Sequence, residues 1–297
     1  MKRRSFLAVA SLAASATALG VEGRPGPYRK AVNLGMVKIG DASVLEKFQA
    51  VKDAGFQGIE LNRPDEIPLD ELIRARDATG LEIAGVTCST HWGKPLTHPD
   101  PAVREQGIRG LKIALQEAGE LGCRNLLLVP GVVNKEVSYA DAYSRAQLAI
   151  KEAIPFAEKA GCKIGVENVW NHFLLSPLEA ARFIDEIGSP SVGFHFDVGN
   201  VVTYGWPEQW IRTLGARIFN LHVKEFSRSK RDKEGLWKGF EVELGEGDND
   251  WPAVKRALHD VGYHGYAIAE VPGGDAARLR FLAERMDQLL SVTLPSS

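Results

Sequence analysis

Four residues suited to gripping a divalent cation stand in runs that are otherwise apolar. They are Glu167 in Ile164-Gly-Val-Glu-Asn168, Asp197 in Val192-Gly-Phe-His-Phe-Asp197, His222 in Ile218-Phe-Asn-Leu-His-Val223 and Glu270 in Tyr266-Ala-Ile-Ala-Glu-Val271. Such runs read as parallel strands covered on both faces. Side chains alternate along a strand, so Glu167 faces with Gly165, Asp197 with His195 and His222 with Lys224, while Ala269 and Val271 oppose Glu270. Three carboxylates and an imidazole sharing one cavity would repel one another and suffer desolvation. A divalent cation removes that conflict, and three oxygens with one nitrogen suit Mn²⁺, Mg²⁺ or Co²⁺ better than the thiolate-rich sites that select zinc. Taken singly, Glu167 reads as a buried acid beside an arginine and His222 as a satisfied core histidine. The metal reading rests on four consecutive strands each supplying a ligand.

The same segments carry a resemblance. With Ile-Gly-Val-Glu167-Asn, Phe-Asp197-Val-Gly-Asn200, Leu-His222-Val-Lys, Ile-Ala-Glu270-Val and Gly245-Glu-Gly-Asp248-x-x-Trp251, the chain resembles the sugar-phosphate isomerase/epimerase family of xylose isomerase-like barrels. The likeness covers nearly everything after the N-terminal leader and is nearest to the ribulose/xylulose-5-phosphate 3-epimerase-like branch. It implies one bound metal ion, Mn²⁺ first, on Glu167, Asp197, His222 and Glu270, with the two glutamates also moving protons. The chemistry implied is isomerisation or epimerisation of a ketose or keto-sugar through a metal-stabilised enediolate, with a base and an acid flanking the reacting carbon. Ketohexose 3-epimerases carry a histidine three residues after the metal-binding aspartate. This chain has Asn200 there, which speaks against ketohexose specificity and leaves the metal ligands untouched.

Six further residues are candidates for substrate binding: Glu60, His91, Asn200, Lys224, Arg228 and Trp170. Glu60 and His91 end strands two and three, where each could meet hydroxyls or orient a catalytic glutamate. His91 is equally readable as a loop histidine, and His195, one layer deeper than Asp197, as core or as support for the ligands. The connection from Ser227 to Asp250 is long, and its Arg228, Lys230, Arg231, Lys233, Trp237 and Phe240 read as a lid over an anionic or polyhydroxylated substrate. A solvated charge run is the plainer alternative.

The elements that must position these residues are punctuated by glycine. Gly55, Gly80, Gly122, Gly161, Gly188, Gly215 and Gly262 each precede an apolar run, as expected where a left-handed residue closes a helix before a strand. Seven such turns imply eight strands, the first at Ala31–Val37. Ile108, Leu111, Leu115 and Ala118 mark one one-faced helix, and Ile150, Ile154 and Ala157 another. Ser176-Pro-Leu-Glu179 reads as an N-cap, a first-turn proline and a capping-box acid. An open doubly wound sheet would gather its site at one switch point, and no Gly-x-Gly-x-x-Gly follows the first strand. Polar residues at the C-terminal ends of many strands instead predict a closed (β/α)8 TIM barrel, α/β class, over residues 28–294.

Residues 1–22 are set apart as an export signal. Lys2, Arg3 and Arg4 precede an apolar run from Phe6 to Leu19, and Arg3-Arg4-Ser5-Phe6-Leu7 resembles a twin-arginine signal, which implies a periplasmic enzyme. The run is short for a membrane span, so no stable membrane insertion is expected after cleavage. Losing the first twenty residues, with three cations and no acid, takes the net charge from −2 to −5, and no dominant basic run suggests a nucleic-acid partner. Cys88, Cys123 and Cys162 lack metal-type spacing, and Cys123 and Cys162, at equivalent places before strands, read as small buried fillers. The expected partner is a small sugar, unphosphorylated in an exported enzyme, with a homo-oligomer left open. Rival readings are a metal-dependent sugar lyase or dehydratase on the same barrel and a non-catalytic sugar-binding barrel.

Overall fold

The computed structural model describes residues 28–291. The expected signal at 1–22 and the last three residues of the expected barrel lie outside them. Eight parallel strands, β1 (Arg29–Asn33), β2 (Gly58–Arg63), β3 (Glu82–Cys88), β4 (Asn125–Leu128), β5 (Lys163–Glu167), β6 (Val192–Asp197), β7 (Ile218–Val223) and β8 (Tyr266–Ala269), pair in sequence order and close, β1 on β8. The outer layer comprises α1 (Val44–Asp53), α2 (Leu69–Thr79), α3 (Pro101–Glu120), α4 (Tyr139–Ala160), α5 (Pro177–Ile187), α6 (Pro207–Leu214), α8 (Trp251–Asp260) and α9 (Ala276–Leu290), while the short α7 (Arg228–Glu234) lies within the β7–α8 connection.

The core is the shell between strands and helices. Phe194 and Phe196 of β6 are fully buried, and Phe196 stacks on Trp210 of α6 with ring centroids 6.1 Å apart. Leu111, Leu115 and Ala118 of α3 are likewise buried, as the helical periodicity requires. All seven punctuating glycines have positive φ, from 56° at Gly215 to 95° at Gly55. Gly80, Gly161 and Gly188 cap α2, α4 and α5 in the left-handed conformation that β-carbon-bearing residues avoid.

Two local expectations are corrected. The first strand starts and ends earlier than Ala31–Val37, because the Asn33 side chain accepts from Gly35 N–H and turns Leu34–Met36 into a 3₁₀ helix. At α5, Ser176 caps Glu179 N–H, but the Glu179 carboxylate accepts from Leu175 N–H and Tyr139 Oη instead of closing a capping box. Within the long β7–α8 connection lie α7 and a 3₁₀ turn at Leu236–Phe240.

Strand register places the chemistry. Glu167 on β5 lies level with His195 on β6, Asp197 two residues further on is level with His222 on β7, and Glu270 follows the His222–Ile268 level by two. This progressive stagger is the shear a tilted barrel requires, and it brings ligands from different strands to one mouth. Phe196→Ala should destabilise the barrel by about 3–5 kcal/mol, because a buried ring between β6 and α6 leaves a cavity. Urea unfolding measures this, and an unchanged midpoint would refute the packing role.

Candidate metal centre at the barrel mouth

His222 is the hub of the site. Its Nδ1 lies 3.0 Å from Glu167 Oε1, 3.5 Å from Glu270 Oε2 and 4.0 Å from Asp197 Oδ2. On the other side its Nε2 lies 3.2 Å from Oε2 of Glu60, whose second partner is Asn33 Nδ2 at 2.9 Å. Glu60 is fully buried, and Gly85 leaves room for it, since a β-carbon there would lie 2.8 Å from Glu60 Oε1. The Glu60 carboxylate accepts from Nε2–H, which leaves Nδ1 as the nitrogen that faces the other three acids. The His195 ring packs against His222 at 4.1 Å between centroids, and burial, with the nearby His222 charge, keeps His195 neutral.

Donor atoms of Glu167, Asp197, His222 and Glu270 all lie within 4.8 Å of one another, so these four could hold one cation. The electrostatics fit such a guest. Burial pushes Glu167 up to about 7, with Glu270 and Asp197 adding to the rise and His222 opposing it. Asp197 is raised by burial too, despite Lys224. Burial also works against charge on His222, but Glu60, Glu270 and Glu167 outweigh it and raise the imidazole well above its ordinary value. Asp197 Oδ2 is buried without a hydrogen bond, its counter-charge being Lys224 Nζ at 3.1 Å. Protons and one ammonium thus compensate a cluster whose oxygen-rich donor set suits a hard divalent ion.

Lys224 pairs with Glu270 as well as Asp197. Burial raises Glu270, yet Lys224 and His222 outweigh it and hold the carboxyl near about 2. Gly199 makes the approach feasible, because a β-carbon there would come 2.9 Å from Lys224 Cβ. Asp197 is clamped by a residue without an assigned role in the sequence reading: Asn168 accepts from Asp197 N–H and donates to its carbonyl, both at 2.8 Å. Asn200 completes the clamp, donating its N–H to Asp197 Oδ1 at 2.8 Å and its Nδ2 to Asn168 O at 2.9 Å.

Above the cluster lies an open cavity of about 470 Å³, lined by Glu167, Asn200, Lys224 and Glu270 below and by Trp92, Trp170, Trp237 and Phe240 higher up. Of the six substrate-binding candidates, Asn200, Lys224 and Trp170 line it. Three do not. Glu60 lies beneath it against His222; His91 is buried, accepts from Val129 N–H and is pushed down to about 4 by burial; Trp92 takes the lining position beside it. Arg228 turns outward, donating to the carbonyls of Val202 and Gly205. The expected basic lid is likewise committed elsewhere, with Arg231 on Thr203 and Lys230 on the Glu241 carbonyl. Its aromatic residues are what reach the cavity.

Glu225 also escaped the sequence reading. It is buried and gathers Gly245 N–H at 2.7 Å, Asn249 Nδ2 at 2.8 Å and Trp251 Nε1 at 2.8 Å. The Gly245-Glu-Gly-Asp248-x-x-Trp251 segment is therefore a cage around this carboxylate, which ties the long connection to the end of β7. An acid directly after a strand that already carries His222 and Lys224 was the available signal.

Fold and site together define a (β/α)8 barrel with a buried acid–imidazole centre at its C-terminal mouth. The chain belongs to the xylose isomerase-like TIM barrel family, whose match spans residues 48–289. It is 28% identical over 255 residues to L-ribulose-5-phosphate 3-epimerase UlaE of Escherichia coli O157:H7, covering 80% of this chain and 87% of the relative. In fold it is similar to a D-psicose 3-epimerase crystallised in the presence of D-fructose (TM-score 0.73, 20% identity, 89% of this chain and 100% of the other). It is also similar to a D-allulose 3-epimerase from Methylomonas sp. (TM-score 0.70, 19% identity, 90% and 99%).

Two outcomes follow from this geometry. Glu60→Gln should weaken Mn²⁺ binding by about tenfold to a hundredfold while the fold persists, read by titration calorimetry and thermal melting. Unchanged affinity would remove Glu60 from the site. Ligands must shed protons to bind a cation, so Mn²⁺ affinity should fall as pH drops through about 7, where Glu167 titrates. Calorimetry in buffers of different ionisation enthalpy should register proton release, and pH-independent affinity would contradict the assignment.

Proposed function

We propose that this protein is an exported, divalent-metal-dependent epimerase or isomerase of an unphosphorylated ketose or keto-sugar. Glu167, Asp197, His222 and Glu270 bind the ion, Mn²⁺ by preference, and Glu167 and Glu270 move the proton. The observation that carries the reading is the convergence of Glu167 from β5 and Glu270 from beyond β8 on one imidazole at the cavity floor. The similar proteins named above support the reaction class, being 3-epimerases by name.

The bound cation supplies Lewis-acid polarisation of the substrate carbonyl and offsets the negative charge of the enediolate. The chain's own groups do the rest. Inverting a carbon next to a carbonyl needs one group to remove its proton and another to return a proton to the other face. Glu167 and Glu270 suit the pair because their surroundings differ: Lys224 sits on Glu270, whereas Glu167 meets only His222 and other acids. Asn168 and Asn200 keep Asp197 in place, and Lys224 holds Asp197 and Glu270 together at the cavity floor.

Absence of phosphate from the substrate is supported by the cations' commitments. Lys224, the one cation among the lining residues, is occupied by Asp197 and Glu270, and Arg228, Lys230 and Arg231 bond to backbone carbonyls. Export rests on Arg3-Arg4-Ser5-Phe6-Leu7 and the apolar run after it.

Mn²⁺-loaded protein should incorporate solvent deuterium into a free ketose in D₂O. Chelation should abolish exchange and added Mn²⁺ restore it. Glu167→Gln and Glu270→Gln should each slow exchange by at least about a hundredfold. A strict requirement for ketose phosphates would overturn the unphosphorylated substrate, and exchange that survives both substitutions would overturn the mechanism.

A further inference from the structure

The cavity changes chemistry with height. Its floor is polar and charged, whereas its upper wall is formed by Trp92 after β3, Trp170 after β5, and Trp237 and Phe240 from the β7–α8 connection. We propose that this wall is a second sugar subsite, which takes a glycosyl ring joined to the ketose that reacts at the floor. The proposal rests on the floor being a ketose site and extends it to the substrate's size and shape.

The wall is ordered before any ligand arrives. Trp170 lies 4.7 Å from Trp237 and 4.9 Å from Phe240 between ring centroids, and its indole N–H donates to the Asn200 carbonyl at 2.8 Å. That bond ties the platform to the residue that also holds Asp197, so the two halves of the cavity are in fixed relation. Phe226 backs the cluster from the buried side, 5.7 Å from Trp170 and 4.8 Å from Phe240.

The fold leaves these rings unused on their outer sides. Trp92 is 53% exposed and Trp237 67% exposed, although both line the cavity. Large aromatic faces kept in water beside a cavity forgo the burial that the rest of the core obtains, which marks them for a ligand. The ligand's chemistry follows from what surrounds them. Glu241 lines the same cavity and Lys224 is already paired, so a phosphate or carboxylate would find no free cation there.

A pyranose ring meets these conditions. Its axial C–H groups form an apolar face that stacks on the electron-rich face of an indole, and its hydroxyl rim stays in water or reaches an acceptor such as Glu241. The exposed faces of Trp92 and Trp237 are the part of the wall that such a ring, joined to a ketose at the floor, would cover. At about 470 Å³ the cavity falls within the range of pockets that enclose ligands larger than one sugar.

The test compares D-fructose with isomaltulose and lactulose, glycosyl-ketoses in which the first three carbons of the fructose unit remain free. Binding to the full Mn²⁺-loaded protein is read by tryptophan fluorescence and calorimetry, and deuterium exchange is measured in parallel. The glycosyl-ketoses should bind about tenfold more tightly than fructose, and Trp237→Ala, at an exposed position, should erase most of that advantage. Trp237→Phe should restore part of it, which a merely structural role would not predict. Equal affinity for fructose and both glycosyl-ketoses would overturn the subsite, as would an advantage that survives Trp237→Ala. Binding preference without exchange into any sugar would keep the subsite and fail the ketose reaction. Exchange into fructose without a binding preference would do the reverse.

Discussion

Too much negative charge in too little water governs this structure. Glu60, Glu167, Asp197 and Glu270 crowd around His222, with Lys224 as the second cation. Carboxylates in a low-dielectric setting either take up protons or find a counter-ion, and here Glu167 and Asp197 are pushed upward while His222 and Lys224 are held charged. The arrangement stores an affinity for a compact cation, because one divalent ion can replace the protons that otherwise keep the acids together.

Maintaining such a cluster requires rigid support, and the barrel supplies it in layers. Beneath the ligands, Glu60 and His195 fix the imidazole from its far side. Beside them, Asn168 and Asn200 bind the backbone and carboxylate of Asp197, so an edge of the site does not depend on side-chain packing alone. Above them, Glu225 collects four donors from the Gly245–Trp251 segment and anchors the connection that carries Trp237 and Phe240. Glu167 and Glu225 are both buried, yet their environments differ. Glu225 has hydrogen-bond donors around it, whereas Glu167 has one imidazole and two competing acids. The first arrangement suits a structural anchor, the second a reactive group.

Interactions of short range left their mark in the chain, and those of long range did not. Glycine punctuation located the helix-to-strand turns because positive φ is a local backbone demand that few other residues meet. Strand alternation placed Glu167, Asp197 and His222 on inward faces for the same reason. The β1 limits were misjudged where a side-chain bond from Gly35 to Asn33 overrode an apolar run. Charge composition misled about the β7–α8 connection: four cations in six residues suggested an anion clamp, but the carbonyls of Val202, Gly205, Thr203 and Glu241, 11 to 28 residues away, claimed Arg228, Lys230 and Arg231.

What the sequence determined on its own was the barrel and the identity of its inward-facing polar residues, since both arise from periodicities of two and of about four residues along the chain. Tertiary structure alone decided that Glu60 serves His222 instead of the cavity, that Asn168 and Glu225 are supports, and that tryptophans instead of cations form the upper wall. Those outcomes depend on which groups meet across strands and loops far apart in sequence, and hydrogen-bond partners at that distance leave no periodic trace.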